Sequence, residues 1–315
     1  MTNLVKPAPT LTKNKSACKS ESRYKRTTST VTIAVGALLI LIIGIAAFLR
    51  FYQIGNLSFW RDELSGLRIV MQSNFINMLQ ALLPKIINNG IYYVPLYYWV
   101  KAFPDGSEEM LRSISEIFSV AIIQAVFLLV KGMGVHRIQT IAIGLIAALF
   151  IAVNAWHIQY AQELRSYSLV FLLSTLSTFL LIKAVEQPRA QIRWIGYVIV
   201  SSVAAYAHLF AIFVLIGQGV SFSILLFRNN SYLPFKRIII NGVAIVVLIV
   251  PLAVALFNPK SWGPIAFIPE LTLERVRQFA IALTGNQGEL LLTLYFFASG
   301  VGLLVGVRTW FWREN

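Results

Sequence analysis

Residues 31–49 read VTIAVGALLILIIGIAAFL, nineteen residues without a charged side chain. About 20 such residues are needed to cross the hydrocarbon core of a bilayer as a helix, so this stretch is read as a membrane span. A basic leader running from Lys6 to Arg26 precedes it. Positive charge collects on the cytoplasmic side of a span, which puts the amino terminus inside and residue 50 outside. No small-residue cleavage site precedes Arg50, so the span reads as an uncleaved anchor rather than a removed signal. Residues 1–30, rich in Lys, Ser and Thr, carry no core-forming periodicity and are expected to form a disordered cytoplasmic tail.

The rest of the chain has the same character. Hydrophobic residues make up 57% of the 315 positions and charged residues only 13%, with a mean hydropathy of +0.71. A soluble domain would carry about 25% charged residues. The formal charge of +14 does not imply nucleic-acid binding, because the basic residues sit in short clusters between apolar runs, where they set topology. The single cysteine, Cys18, excludes an intramolecular disulfide.

Those basic clusters divide the chain. A second span is expected at about 113–130, ending at Lys131. Between that cluster and Lys183, Arg189 and Arg193 the flanks are both basic, so the crossings between them must be even: 138–154 and 167–183, joined outside by NAWHIQYAQELRSYS. The same parity makes residues 194–227 a hairpin turning outside near AYAHLF. Spans at about 237–257 and 289–307 complete an all-α polytopic protein with about eight transmembrane helices and both termini cytoplasmic. In the first outer loop, Leu64, Leu67, Met71, Phe75, Met78, Leu79 and Leu82 recur at helical spacing, which predicts one or two amphipathic surface helices ending near Pro84. Ten of the 13 acidic residues then fall outside or at the outer edge, and a functional site is sought on that face.

Four clusters there could carry chemistry. In FWRDE (59–63), Asp62 could serve as a general base, since low-dielectric walls raise a carboxylate's pKa; alternatively Asp62 and Glu63 merely open a surface helix and favour its positive end. In YAQELRSYSL (160–169), Arg165 is a natural phosphate partner because its planar fork does not titrate, or else a snorkelling arginine among belt aromatics. The run YYVPLYYW (92–99), with Tyr97, either anchors at the interface or lines a groove or sugar site. His208, in YAHLF, is either a helix-contact residue or part of the site.

The order of these pieces resembles the membrane glycosyltransferases of the GT-C fold: Trp-Arg-Asp-Glu after the first span, Pro-Leu-Tyr-Tyr (95–98) before the second, Gln-Glu-Leu-Arg-Ser-Tyr-Ser (162–168) after the third, and Tyr-Ala-His (206–208) after the fifth. The chain looks most like the bacterial branch of glycosyltransferase family 39, related to protein O-mannosyltransferases and the lipid A aminoarabinose transferase, over roughly residues 35–230. The resemblance implies inverting transfer of a sugar from a polyprenyl-phosphate carrier to a lipid, glycan or protein acceptor on the non-cytoplasmic face of a bacterial inner membrane. Asp62 would be the base and Glu63 its partner in the motif. Arg165 would meet the carrier phosphate, with Lys85 as a further phosphate-binding candidate. Glu163, Tyr167, Tyr97 and His208 would shape the substrate pocket. Relatives differ in whether a divalent metal assists. Family members often show His-Pro-Pro-Leu-Tyr-Tyr, and here Tyr93 and Val94 replace the His and the first Pro. Relatives also commonly continue with more spans, so a short member and a truncated product are both open readings. The rival function is a transporter or flippase for a lipid-linked sugar or small solute. If the transferase reading holds, Asp62 and Arg165 face one outward-opening cavity.

Overall fold

A computed structural model describes residues 15–56, 58–83, 90–133, 137–227, 234–256, 272–283, 289–290, 292–294, 296–297 and 300. The chain divides into two compact units, Met1–Leu41 and Ile42–Asn315. The first is described only as the amino-terminal portion of α1 (Lys15–Phe51), a helix that begins inside the stretch read as a tail. All side-chain geometry below belongs to the second.

Every regular element among the described residues is helical. After α1 come α2 (Arg61–Val70), α3 (Phe75–Leu82), a single 3-10 turn at Gly90–Tyr92, and α4 (Tyr93–Ala102). The remainder is α5 (Glu108–Met133), α6 (Arg137–Val153), α7 (Ala155–Ala161), α8 (Tyr167–Glu186), α9 (Gln191–Ala207), α10 (Ala211–Phe227), α11 (Phe235–Leu256) and α12 (Leu273–Leu283).

Four helices are long and apolar enough to cross a membrane: Val31–Phe51, Glu108–Met133, Tyr167–Glu186 and Phe235–Leu256. A fifth is added if Gln139–Val153 and Ala155–Ala161, bent by 59° at their junction, make one span. The 21 residues of Val31–Phe51 rise about 31 Å at 1.5 Å per residue, the thickness of a bilayer core. Phe213 and Ile216 of α10 and Val246 and Val254 of α11 stand exposed, as lipid-facing side chains do. The chain is thus an all-helical membrane protein with four to five candidate spans among its described residues. The last expected span, 289–307, falls largely outside them.

What binds the helices is partly polar. The Ser177 and Ser201 hydroxyls meet at 2.7 Å, joining α8 to α9, while Tyr197 donates to Gln218 Oε1 at 3.0 Å. The Gln218 amide donates onward to Thr178 Oγ1 at 3.0 Å. Such bonds replace the hydrophobic drive that lipid removes between helices.

At one end of α5, α8 and α9 the short helices form a cap. Leu67 and Val70 of α2, Met78 and Leu82 of α3, and Leu96 and Val100 of α4 share one core with Leu111, Ile114, Leu169 and Ala207. Two helices, α2 and α3, therefore occupy the amphipathic stretch of the first loop. Gly66 admits the cap's closest approach: a Cβ there would lie 2.9 Å from the Tyr93 ring. The tyrosine run is built into this core. Tyr92, Tyr93 and Tyr97 are buried, and only Tyr98 is exposed.

Candidate functional site

The site begins with Glu63. As the third residue of α2 its carboxylate accepts the Trp60 N–H at 3.2 Å, half of a capping box. The same carboxylate is fully buried and takes both arms of Arg112 from α5, Nε at 3.0 Å and Nη2 at 2.8 Å. It also accepts the backbone N–H of Leu164 at 2.7 Å. Four donors fill its lone pairs, so Glu63 positions rather than reacts. Arg112 is held in turn by the Ile54 carbonyl at 3.1 Å and lies 4.8 Å from the Phe59 ring centre.

This knot explains what lies beside it. Asp62 adjoins Glu63 and Arg165 adjoins Leu164, so the Glu63–Leu164 bond carries both neighbours to one place. Arg165 Nη2 stands 3.6 Å from Asp62 Oδ2, with Arg165 13% and Asp62 45% exposed. The guanidinium lies between two rings, 5.9 Å from Trp60 and 5.8 Å from Tyr167. Its Nε is buried without a hydrogen-bond partner among the described residues. Behind it, Tyr92 Oη meets Ser115 Oγ at 2.7 Å, and Ser115 donates to the Arg165 carbonyl at 3.3 Å, fixing the turn from below.

Glu163 sits on the other side of Leu164. One of its oxygens, Oε2, is buried and makes no hydrogen bond among the described residues. Burial above all pushes its carboxyl up to about 7; the nearby negative charges of Glu63 and Asp62 add to this, while Arg165 and Arg112 oppose it. His208 closes α9. Its ring lies 5.7 Å from Tyr167, and its Nδ1 accepts the Phe210 N–H at 3.2 Å, which leaves the proton on Nε2. Burial, helped by the charge of Arg165, lowers it to about 4, so the imidazole is neutral at pH 7.

Two cavities flank the 159–167 segment. One, of about 680 Å³, is a groove lined by Ile151, Trp156, Tyr160, Val170, Phe171 and Phe210 among others, with Tyr167 in its wall. The other, of about 460 Å³, is lined by Gln53, Ser58, Trp60, Gln159, Gln162 and Glu163 over a floor that includes Glu63 and Arg112. α7 sorts its residues between them by helical period: Trp156, His157, Tyr160 and Ala161 face the groove, and Gln159 faces the cleft.

The turn that presents these residues is held from α1. Fully buried Arg50 donates to the Ile151 and Ala152 carbonyls at 3.1 and 2.9 Å, the groups left open where α6 breaks. It also reaches Ser119 Oγ at 2.6 Å and His157 Nδ1 at 2.8 Å. Asn154 caps α7 by accepting the His157 N–H at 2.8 Å. The Gln162 amide donates to the Arg50 and Tyr52 carbonyls at 2.8 and 3.1 Å.

Of the residues singled out in the sequence, Asp62, Glu63, Glu163, Arg165, Tyr167 and His208 stand in one neighbourhood, but Asp62 and Arg165, expected to face one cavity, line neither of these two, and nor does His208. Tyr97 does not join them. Its ring is buried in the cap against Phe75 at 5.7 Å and Tyr98 at 5.4 Å, with the Lys101 ammonium 5.5 Å above it, and it lines neither cavity. Lys85 lies outside the described residues. Arg112, Arg50 and Trp60 were not among the expected site residues. Among the described residues no group of three or more His, Cys, Asp or Glu side chains could hold a metal ion. No protein-family model and no curated protein matches the chain, and its function is therefore read from this geometry.

Proposed function

We propose that the chain is a membrane glycosyltransferase of the GT-C type, moving a sugar from a polyprenyl-phosphate carrier to a hydroxyl acceptor on the non-cytoplasmic face. The observation that carries this reading is the meeting of Asp62 and Arg165 at 3.6 Å, beside an apolar groove large enough for part of an isoprenoid chain. In this reading the carrier's first isoprene units lie along Trp156, Tyr160 and Phe171, and its phosphate reaches past Tyr167, in the groove wall, to the Arg165 guanidinium 5.8 Å from that ring.

In the reaction, the Asp62 carboxylate takes the proton of the acceptor hydroxyl as that oxygen bonds to the anomeric carbon. The bond from that carbon to the phosphate oxygen breaks, and its electron pair leaves on the carrier phosphate, whose charge Arg165 stabilises. Attack opposite the leaving group inverts the anomeric centre. Tyr167 and neutral His208 shape the phosphate side without adding charge. The topology belonging to this reading has about eight crossings with both termini cytoplasmic, the 17-residue helices α9 and α10 serving as short spans.

A transporter is favoured by a different observation. Glu116, within the span α5, is fully buried, and neither of its carboxylate oxygens has a hydrogen-bond partner among the described residues. Ionisable groups inside spans commonly mark solute or proton pathways.

Profiling lipid-linked sugars in membranes with and without the chain separates the two. Accumulation of one isoprenyl-phosphate sugar in its absence, and equally with Asp62→Asn, supports transfer. An unchanged profile overturns it, and movement of the intact lipid-linked sugar across the bilayer without its cleavage supports transport.

A further inference from the structure

The polar cleft has a lining of its own and lies on the opposite side of α7 from the groove. Its walls offer the amide side chains of Gln159 and Gln53, the Ser58 hydroxyl, the Glu163 carboxyl and the Gln162 carbonyl oxygen, the Gln162 N–H groups being given to the Arg50 and Tyr52 carbonyls. Gln53 follows α1 with a positive φ of 57°, a conformation that costs an L-residue free energy and persists where its surroundings impose it. One wall is the indole of Trp60, which stands exposed. The floor is charged but internally matched, since Glu63 holds Arg112 through two hydrogen bonds.

We infer that this cleft seats the acceptor of the proposed transfer, and that the acceptor is a saccharide rather than a lipid or a peptide. The inference rests on the transferase reading for the word acceptor, but its chemistry stands on the cleft itself.

Three features select that class. Sugar hydroxyls each donate and accept, so their sites need both functions at close spacing; primary amides supply both on one side chain. Glu163 lines the cleft and its Oε2 has no protein donor among the described residues, so a ligand hydroxyl can pair with this carboxyl once the side chain turns toward it, relieving an unpaired oxygen that costs about 1–3 kcal/mol. The Trp60 face offers apolar surface to the C–H face of a pyranose while its neighbours take the hydroxyls. An anionic ligand is disfavoured, because Arg112 is already committed to Glu63 and the Glu163 carboxyl stands nearby. A lipid tail is disfavoured by the lining itself, in which seven of the nine residues carry a polar or charged side chain. The volume of about 460 Å³ falls within the range of small-molecule sites, roughly 300–1,000 Å³.

The cleft also stands in the right place. Trp60 is shared: it lines the cleft and lies 5.9 Å from the Arg165 guanidinium. Asp62, two residues on, pairs with that guanidinium. A sugar resting on the indole therefore lies next to the proposed base and next to the proposed phosphate site. Glu163 and Gln159 read its hydroxyls and act as specificity-determining residues.

The test is saturation-transfer NMR on the full chain in lipid nanodiscs, with a panel of neutral mono- and disaccharides, a Ser/Thr-containing peptide, and a short isoprenyl phosphate. At least one saccharide should bind, and Glu163→Ala should weaken it by about tenfold or more. Gln159→Ala, on the exposed surface of α7 and outside the Glu63 knot, should weaken it as well and guards against misfolding of the first variant. The isoprenyl phosphate should not displace the sugar. Failure of every saccharide, binding of the peptide in their place, or saccharide binding indifferent to both substitutions overturns the inference. Loss of isoprenyl-phosphate binding with saccharide binding intact overturns the transferase reading and leaves the cleft assignment standing.

Discussion

Asp62 and Arg165 neutralise one another across 3.6 Å, although 103 positions separate them in the sequence. In this state the carboxylate is paired with the cation beside it and not yet turned to an acceptor hydroxyl. In the proposed transfer, a phosphate entering the site would compete for the same guanidinium and release Asp62 for proton abstraction, so the pair would link donor arrival to acceptor activation.

Asp62→Asn should therefore separate two properties. Sugar transfer should fall by about 10²–10⁴-fold, the usual worth of a general base. Affinity for an isoprenyl phosphate should hold or rise, since Arg165 loses its competing anion. Steady-state transfer and direct binding of the lipid phosphate, measured on one preparation, check this; retained transfer removes Asp62 from its role.

Arg165→Ala should weaken isoprenyl-phosphate binding by about tenfold or more, in line with about 1.5–3 kcal/mol for hydrogen bonds to charged groups. Arg165→Lys should restore only part of it, because an ammonium lacks the planar fork and the stacking between Trp60 and Tyr167. Binding titrations of the two variants decide the point, and equal affinity across all three proteins would remove the phosphate from this position.

Glu63→Gln and Arg112→Met should each destabilise the cap by about 3–5 kcal/mol, since either leaves a buried charge without its partner. The double substitution Glu63→Leu with Arg112→Met should recover part of that loss. Thermal unfolding in detergent, followed through the Trp60 environment, reads both. Full stability of the single variants would show the ion pair to be dispensable.

Glu163 predicts a pH dependence. Its carboxyl is raised from 4.5 to about 7, mainly by burial, so the folded protein holds this proton more tightly than the unfolded chain. The contribution to stability is complete below the unfolded value and disappears as pH rises through about 7. The thermal midpoint should fall between pH about 4.5 and about 7 and level off above that, and Glu163→Gln should flatten that part of the profile. An unaltered slope in the variant assigns the dependence to another group.

Hydropathy located the apolar part of α1, and α5, α6, α8 and α11, to within a few residues, because a span is a long uniform signal; the polar start of α1 at Lys15 was read as tail. The partners inside the site were less legible. Nothing periodic joins Glu63 to Arg112 across 49 positions, and an arginine near a span end looks the same whether it snorkels or closes a buried knot. Arg50 posed the same problem: as the first charge after an apolar run it reads as a flank, yet every N–H group of its fork is engaged inside the protein. Tyr97 failed in the other direction. Dense tyrosines suit an interface or a sugar site equally well in sequence, and only the packing of α4 against Phe75 shows this one to be core. The α7 sorting of Tyr160 and Gln159 to opposite cavities was hidden because seven residues carry too little pattern to assign faces.

Arg50 also bears on how the molecule is made. The nascent chain delivers α1 to the bilayer first, and the Ala152 carbonyl that receives its guanidinium is translated 102 residues later. Until then its partners already made are the Ala46 carbonyl, one turn back in the same helix, and, once α5 is synthesised, the Ser119 hydroxyl, and hydration at the membrane surface must serve the rest. Completion of this contact is thus a late event of biogenesis, and a translational arrest before residue 151 would leave an inserted helix whose charged end lacks its α6 carbonyls, a mark by which quality control could recognise an unfinished chain.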